Sequence, residues 1–318
     1  MVSEIVAVSG ATQIVSVIGA DTFIGEHLVT HLSKNRQMVY GFSQKDFFCF
    51  DSEPIVESGK DNASVEPDPI ISDVLFVCLE PDFGFETYIC KIKGICTEIL
   101  KTGFGGKIFL LSSGAVCLSQ GAAISEESSV CPRTEKNLAW VTGEYIINMM
   151  GYDERCVATP GVIRIGSCYG NEIDFKSERN YGVINRMIYD AAKKHCIEVP
   201  IPGDALRTVT HISDVCESII RLMSIEFLPD IINIPGEELS LSDISKKIAK
   251  RFNAKLSYFS PKANDQDFFV GDQHLSDELF KTQCDYVRQI NFDEWLNSGN
   301  QIDDFLKSTY SKGKITYV

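Results

Sequence analysis

The first clear pattern in the chain is a short apolar run followed by a glycine and an amphipathic helix. The run Ile14–Ile18 is rich in β-branched residues, which favour a strand. After Gly19, apolar residues recur at the spacing of one helical face, namely at Ile24, Leu28, Val29 and Leu32. The stretch "QIVSVIGADTFIGEHLVTHLSKN" therefore predicts a strand, a glycine turn and a helix.

Further apolar runs continue this alternation along the chain. "MVYGFS" follows the first helix, and "DVLFVCL", "KIFLLSS" and "GVIRIGSCYG" come later, with the helical segment "FETYICKIKGICTEILKTG" among them. Short buried strands that alternate with long helices predict an α/β fold with a Rossmann-type, doubly wound parallel sheet. Helices are expected on both faces of this sheet.

The pattern becomes irregular beyond Tyr169. An irregular α/β region of this kind suits a smaller domain over the carboxyl ends of the strands, where doubly wound folds bind ligands. We therefore predict a dinucleotide-binding domain over residues 13–166, with a returning segment over 206–236. The smaller C-terminal substrate domain comprises residues 167–205 and 237–318, and residues 1–12 form an N-terminal extension.

The glycine turn is a candidate binding site for a dinucleotide. A pyrophosphate can be held there by backbone N–H groups at the positive end of the helix dipole. The candidate residues are Gly19, Thr22, Phe23, Ile24 and Gly25. Thr22 stands where such loops usually have a middle glycine, and it adds bulk at the place where backbone approaches phosphate. A tight packing turn without a ligand is the alternative.

The end of the second strand bears on the choice of cofactor. Ser43 lies where an acidic residue binds the ribose 2′-hydroxyl of NAD, and Lys45 is close by. The cofactor is therefore expected to be NAD or NADP, with a weak preference for NADP. A solvent-exposed turn explains the same residues equally well.

Composition narrows the class of partner. The 318 residues carry a formal net charge of −14, with 44% hydrophobic and 23% charged residues, as in ordinary globular proteins. A strongly negative surface disfavours nucleic acid and anionic membranes. Eleven cysteines without a C-x-x-C pair indicate reduced thiols, with neither a disulfide framework nor a metal site. The start of the chain lacks a basic leader and an apolar run, so a cytoplasmic location is expected.

Several motifs in sequence order resemble the extended short-chain dehydrogenase/reductase family, of the nucleotide-sugar epimerase and dehydratase type. "GADTFIGEHLV" resembles its phosphate loop, "FLLSSGAVC" its serine-bearing strand, and "VIRIGSCYGNE" the entry to its substrate domain. "VPIPGDALRTVTHISDV" is similar to the segment that carries a substrate-binding arginine. The resemblance runs from about Gln13 through nearly the whole chain, and it implies a nucleotide sugar or similar small polar substrate.

The family's proton-transfer pair is a tyrosine and a lysine four residues later, assisted by a serine. The lysine is needed because the pKa of a phenol is ~10, and a fixed cation nearby lowers that pKa so that phenolate is available at neutral pH. By resemblance Ser113 matches the serine. Pro132 and Glu144 agree on the register of the next helix, which places Lys136 at the tyrosine position and Trp140 at the lysine position. The pair is therefore replaced.

Other matched positions concern the substrate and the cofactor. Arg207 matches an arginine that contacts the substrate diphosphate, and a guanidinium suits that role. A domain-bridging ion pair is its alternative. Ser167 replaces an asparagine that touches the same diphosphate. Glu80 stands where the family has a small residue, and its carboxylate would repel a pyrophosphate unless it turns outward.

Three functions remain open from the sequence. The first is a divergent NAD(P)-dependent enzyme acting on a nucleotide sugar, in which a lowered pKa allows Lys136 to act as base and Trp140 stacks on the cofactor. The second is a catalytically inactive pseudoenzyme with a sensing or scaffolding role. The third, weaker, is a non-redox lyase or isomerase that uses Lys136. The family resemblance also implies a homodimer through the helices "FETYICKIKGICTEIL" and "TEKNLAWVTGEYIINMM".

Overall fold

A computed structural model describes residues 13–35, 37–44, 56–58, 72–117, 122–170, 182–201, 203–260 and 271–298. The predicted extension over residues 1–12 lies outside the described residues, as does Lys45. No helix within the described ranges is long and apolar enough to cross a membrane.

Strands and helices alternate along the first half of the chain, as the apolar pattern predicts. The strands are β1 (Ile14–Ile18), β2 (Met38–Phe42), β3 (Val56–Ser58), β4 (Val74–Val77), β5 (Lys107–Ser113), β6 (Thr159–Ile165), β7 (Ser167–Tyr169), β8 (Cys196–Pro200), β9 (Leu206–His211), β10 (Ile231–Asn233), β11 (Glu237–Ser240) and β12 (Lys255–Phe259). The helices are α1 (Phe23–Lys34), α2 (Phe85–Thr102), α3 (Glu135–Met150), α4 (Val183–Lys194), α5 (Ile212–Leu222), α6 (Leu241–Phe252), α7 (Glu278–Gln283) and α8 (Phe292–Asn297).

The large sheet has the order β10-β6-β5-β4-β1-β2-β3. All its pairs are parallel except the pair of β2 with the edge strand β3, which is antiparallel. The predicted doubly wound α/β fold is thus confirmed, with one antiparallel edge. The chain moves from β1 to β2 on one side and to β4 on the other, so the strand order reverses beside β1. Doubly wound folds bind their ligands at such a reversal.

Both faces of the large sheet are covered by helices. On one face Leu28 of α1 and Ile219 of α5 pack with the strand residues Val17 and Phe76. On the other face α2 and α3 pack with the strands in a second apolar cluster that includes Ile92. This two-sided cover explains why the strands read as continuous apolar runs in the sequence.

A third apolar cluster belongs to the later part of the chain. It joins α4, α6 and α8 with the sheets β11-β9-β7 and β12-β8. Tyr169 lies at its centre, with ring centroids 5.1 Å from Phe292 and 4.9 Å from Trp295. Strand β9 belongs to the three-stranded sheet and leads directly into α5, which returns to the large sheet.

A buried ion pair ties α3 to the large sheet. Arg164 of β6 donates from Nη2 to Glu144 of α3 at 2.7 Å, and from Nε at 3.1 Å. Ser112 of β5 donates to the same carboxylate at 2.6 Å. The side chains of Arg164 and Glu144 are only 2% and 4% exposed. This network fixes the middle of α3 relative to the end of β5, near which the candidate site lies.

Candidate functional site

The glycine turn after β1 lies at the reversal of strand order. Gly19 has φ +86°, and a Cβ there would stand 2.5 Å from the carbonyl oxygen of Cys78, at the end of β4. Its N–H donates to the carbonyl of Phe42 at 2.8 Å. Both the positive φ and the close approach require glycine, so the turn is set by packing between β1, β2 and β4.

Thr22 closes this turn with its own side chain. Its hydroxyl donates to the carbonyl of Gly19 at 2.7 Å and accepts from the N–H of Gly25 at 3.1 Å, which caps α1. One of the N–H groups at the start of α1 is therefore bound within the chain. Phe23 and Ile24 pack their partly buried side chains against the apolar core. The predicted loop residues thus lie together, and their visible role is to hold the turn.

Asp21 is a residue of this loop that sequence reasoning missed. Its carboxylate accepts from the Ser43 hydroxyl at 2.7 Å and from the Gln44 N–H at 2.6 Å. The acid that the sequence lacks at the end of β2 is thus supplied from the glycine loop. Asp21 lies two residues after Gly19 in that loop. Since a carboxylate repels the 2′-phosphate that distinguishes NADP from NAD, this geometry works against the predicted preference for NADP.

The ends of β2 and β4 are bound to each other. The Gln44 side-chain oxygen accepts from the Glu80 N–H at 2.8 Å, and the Gln44 carbonyl accepts from the Lys91 ammonium. The cavity beside these groups, which Leu79 and Tyr88 also line, has about 10 Å³. That volume holds about one water molecule. We call Asp21, Gln44, Glu80 and Lys91 the crevice bridge.

Lys136 faces carboxylates that follow β4. Its ammonium donates to Asp82 at 2.9 Å and lies 3.4 Å from Glu80. It also stands 5.0 Å from the ring centroid of Trp140, one helical turn later. Burial alone would lower the pKa of Lys136, but Glu80 and Asp82 outweigh it and raise that pKa above its usual value. The lowered pKa that a lysine base requires is therefore not produced by this arrangement.

The Glu80 carboxylate lies next to the ammonium group of Lys136. Burial raises the pKa of Glu80 above its usual range, although Lys136 opposes the shift. Trp140 is half-buried, packs against the neighbouring apolar clusters and offers its face to the ammonium. Lys136 and Trp140 thus contact each other on α3, and their match to the family's tyrosine and lysine stays a prediction.

Ser113 lies at the end of β5, as the motif predicts. Its hydroxyl accepts from the N–H of Ala115 at 3.2 Å and caps a short 3-10 helix over Gly114–Val116. Asn137 of α3 donates to the Ala115 carbonyl at 2.9 Å, so α3 is tied to this loop. Ser113 and Lys136 are therefore carried by connected elements, and a role of Ser113 toward a substrate stays a prediction.

Arg207 and Ser167 lie on the neighbouring strands β9 and β7. Arg207 is buried, and its Nη1 donates to the carbonyls of Leu206 at 2.8 Å and Gly271 at 2.6 Å. Burial lowers the pKa of Arg207 to about 10, so the group stays charged at neutral pH. Ser167 is half-buried and pairs with Val209. A diphosphate at Arg207 would compete with backbone carbonyls for the guanidinium.

The described residues at the ends of β2 and β4 do not fit a bound dinucleotide. A dinucleotide lies across the carboxyl ends of the strands, with adenosine beside the end of β2. Here Gln44 joins that end to Glu80, and the cavity beside them has about 10 Å³, which is room for about one water molecule. Toward α3, the ion pair of Lys136 with Glu80 crosses the same edge of the sheet. The chain's own side chains thus contact one another at the edge of the sheet where doubly wound folds bind a dinucleotide.

No protein-family model and no curated protein matches the sequence. Solved structures do match over nearly the whole chain. One is TunA, an NAD-dependent NDP-hexosamine 5,6-dehydratase of tunicamycin biosynthesis, with 16% identity, a TM-score of 0.73, and coverage of 94% of this chain and 98% of that one. The dTDP-glucose 4,6-dehydratase of Bacillus anthracis, solved with NAD, has 15% identity, a TM-score of 0.73 and coverage of 94% and 98%.

The UDP-glucose 4-epimerase of Thermus thermophilus, also solved with NAD, has 14% identity, a TM-score of 0.72 and coverage of 92% of this chain and 99% of that one. Identities this low establish the fold and leave the activity open. The resemblance seen in the sequence motifs is confirmed at that level: this chain has the fold of the NAD-dependent nucleotide-sugar epimerases and dehydratases.

Proposed function

We propose that this chain is a catalytically inactive protein with the epimerase and dehydratase fold, which works by binding. The observation that carries the proposal is a fixed cation at the position that matches the family's catalytic tyrosine: Lys136 is held by Glu80 and Asp82. A general base needs a lone pair, and a lysine whose pKa is raised keeps its proton at neutral pH. Proton transfer from a substrate hydroxyl to Lys136 is therefore disfavoured.

The same ion pairs weigh against both catalytic alternatives. A divergent redox enzyme needs Lys136 as a neutral base, and a lyase that forms a Schiff base needs it as a neutral nucleophile. Trp140 brings no charge that could activate either. Loss of general acid–base catalysis typically costs about 10²–10⁴-fold in rate. A nucleotide sugar, the substrate class of the similar dehydratases and epimerases, would then be a bound ligand that leaves unchanged.

Turnover assays test this proposal. We expect no conversion of UDP-, GDP- or dTDP-sugars by the native chain, with or without NAD⁺ or NADP⁺. We also expect none from Lys136→Met, in which the cation is removed, or from the matched control Lys93→Met on exposed α2 surface. Native turnover that is lost in Lys136→Met and kept in Lys93→Met would contradict the proposal. Turnover appearing only when Lys136→Tyr and Trp140→Lys are combined with Gln44→Ala, which frees the end of β2 from Glu80, would support it, because it would show that these changes supply chemistry that the native chain lacks.

We further propose that the binding partner is a second copy of the chain. An exposed apolar stripe follows α3 and its C-terminal turn at helical spacing, formed by Leu138, Tyr145, Met149 and Tyr152, whose exposures are 45%, 58%, 69% and 81%. Helix α2 packs beside α3. Two such helix pairs would bury the stripe in a four-helix contact.

Sedimentation velocity at micromolar concentration checks the dimer. The native chain is expected to sediment as a dimer, and the double variant Tyr145→Asp, Met149→Asp as a monomer, because each carboxylate would be buried without a partner. Phe227→Asp serves as control, since Phe227 is 79% exposed and lies off the stripe. A native monomer, or a dimer unaffected by the double variant, would count against the interface.

A further inference from the structure

The carboxyl ends of β2 and β4 hold each other through the crevice bridge, at the place where a doubly wound fold accepts adenosine. We infer that the bridge replaces the adenosine half of a dinucleotide, so that the native chain keeps this crevice closed and binds neither NAD nor NADP there. This inference concerns binding and does not rest on the absence of turnover. It separates the chain from the NAD-containing structures that share its fold.

Hydrogen bonding is the first support. The Asp21 carboxylate, which would be the ribose acceptor, already receives the Ser43 hydroxyl and the Gln44 N–H. Gln44 also uses its side-chain oxygen on Glu80 and its carbonyl on Lys91. Both Ser43 and Gln44 are buried. Leaving a buried polar group unpaired costs about 1–3 kcal/mol, so a ligand that separates these strand ends has to offset several such losses.

Charge is the second support. A dinucleotide pyrophosphate is anionic, and carboxylates stand along its expected path at Asp21, Glu80 and Asp82. Among the described residues, the cations beside these carboxylates are already bound: Lys136 to Glu80 and Asp82, and Lys91 to the Gln44 carbonyl. An incoming phosphate would therefore meet carboxylates whose partner cations it must first take away.

The edge of the sheet is the third support. Strand β3 runs antiparallel to β2, with Val56 beside Gly41 and Ser58 beside Val39. Its carboxyl end therefore lies at the amino end of β2, away from the crevice. Dinucleotide crevices are lined by the carboxyl ends of parallel strands. This edge strand thus cannot present its carboxyl end to an adenosine, unlike a parallel neighbour of β2.

Calorimetry on the full chain tests the inference, with NAD⁺ and ADP-ribose as probes. The native chain is expected to show no binding of either probe at concentrations up to about 1 mM. A dissociation constant of about 1 mM already corresponds to weak binding. The bridge variant Gln44→Ala, Lys91→Met removes the side-chain bond to Glu80 and the ammonium bond to the Gln44 carbonyl. It should gain at least about tenfold in affinity for ADP-ribose, because a ligand no longer has to break these two bonds of about 1 kcal/mol each.

Three outcomes decide the matter. Native binding of either probe, or release of stoichiometric dinucleotide when the purified native chain is denatured, would overturn the inference. Absence of binding in both native and variant chains would overturn the assignment of the block to Gln44 and Lys91. The single variants Gln44→Ala and Lys91→Met are measured as well, and circular dichroism verifies that each variant is folded. If the double variant folds poorly, the folded single variants take its place in the comparison. Lys93→Met, on exposed α2 surface, should bind as the native chain does.

Discussion

Glu144→Ala is expected to lower the free energy of unfolding by about 3–5 kcal/mol, the usual cost of breaking a buried ion pair from one side. The change would leave the Arg164 guanidinium charged and buried, and would remove the acceptor of Ser112. For a chain of this size the midpoint of thermal unfolding should fall by roughly 6–15 °C. Denaturant unfolding followed by circular dichroism gives the measurement.

Two controls isolate the pair. Glu154→Ala, at an exposed position just beyond α3, should change the free energy of unfolding by no more than about 0.5 kcal/mol. The double variant Glu144→Leu, Arg164→Met replaces both charges by apolar groups and should recover most of the lost stability. A loss in Glu144→Ala no larger than in Glu154→Ala would show that the pair does not anchor α3.

Gly25→Ala should destabilise the fold by about 3 kcal/mol, at the upper end of the range for overpacking. The added Cβ would collide with the carbonyl group of Gly19, and both sides of that collision are backbone. Gly19 cannot retreat, because it already lies against the Cys78 carbonyl. In an unconstrained helix the same substitution would stabilise by up to about 1 kcal/mol, so the sign itself is informative. Chemical denaturation compared with the native chain measures it.

Gly105→Ala is the matched control for this substitution. Gly105 is exposed, and a Cβ there would meet only Val157, at 4.0 Å. Its effect should stay within about 0.5 kcal/mol of zero. Equal effects of the two substitutions would mean that close contact between Gly25 and the Gly19 carbonyl does not hold the glycine turn. A large effect of Gly25→Ala alone would show that the turn needs glycine for the fold itself.

The backbone packing around the glycine turn explains why this loop needs its glycines with or without a ligand. Gly19 and Gly25 are required by backbone contacts that exist without any ligand. Thr22 completes those contacts by capping α1. A glycine loop between a strand and a helix is therefore weak evidence for a bound pyrophosphate when its residues satisfy one another.

The candidate site could be predicted only in part. Pro132 and Glu144 gave the register of α3, and Lys136 and Trp140 do lie one turn apart in contact on that helix. The chemistry of Lys136 could not be inferred the same way, because Glu80 and Asp82 lie more than fifty positions earlier in the chain. A pKa depends on burial and on such distant charges.

The environment of Arg207 could not be predicted from the sequence either. The motif predicted an arginine on a strand, but the burial of Arg207 depends on the segment around Gly271, which pairs alongside β9. Nothing in the local sequence indicates that carbonyl oxygens bind its guanidinium. Asp21 and Lys91 were missed for a similar reason, since their partner Gln44 is joined to them only when β1, β2 and α2 come together.

By itself, the sequence determined the alternation of strands and helices, the glycine turn and the helical spacing of Lys136 and Trp140. These features depend on local periodicity, on backbone conformation and on residue identity at a fixed spacing. Only the tertiary structure decided what the replaced residues do. It set Lys136 between two carboxylates and joined the ends of β2 and β4 through Gln44. The physical reason is that electrostatics and hydrogen bonding act through space between segments that are distant in the chain.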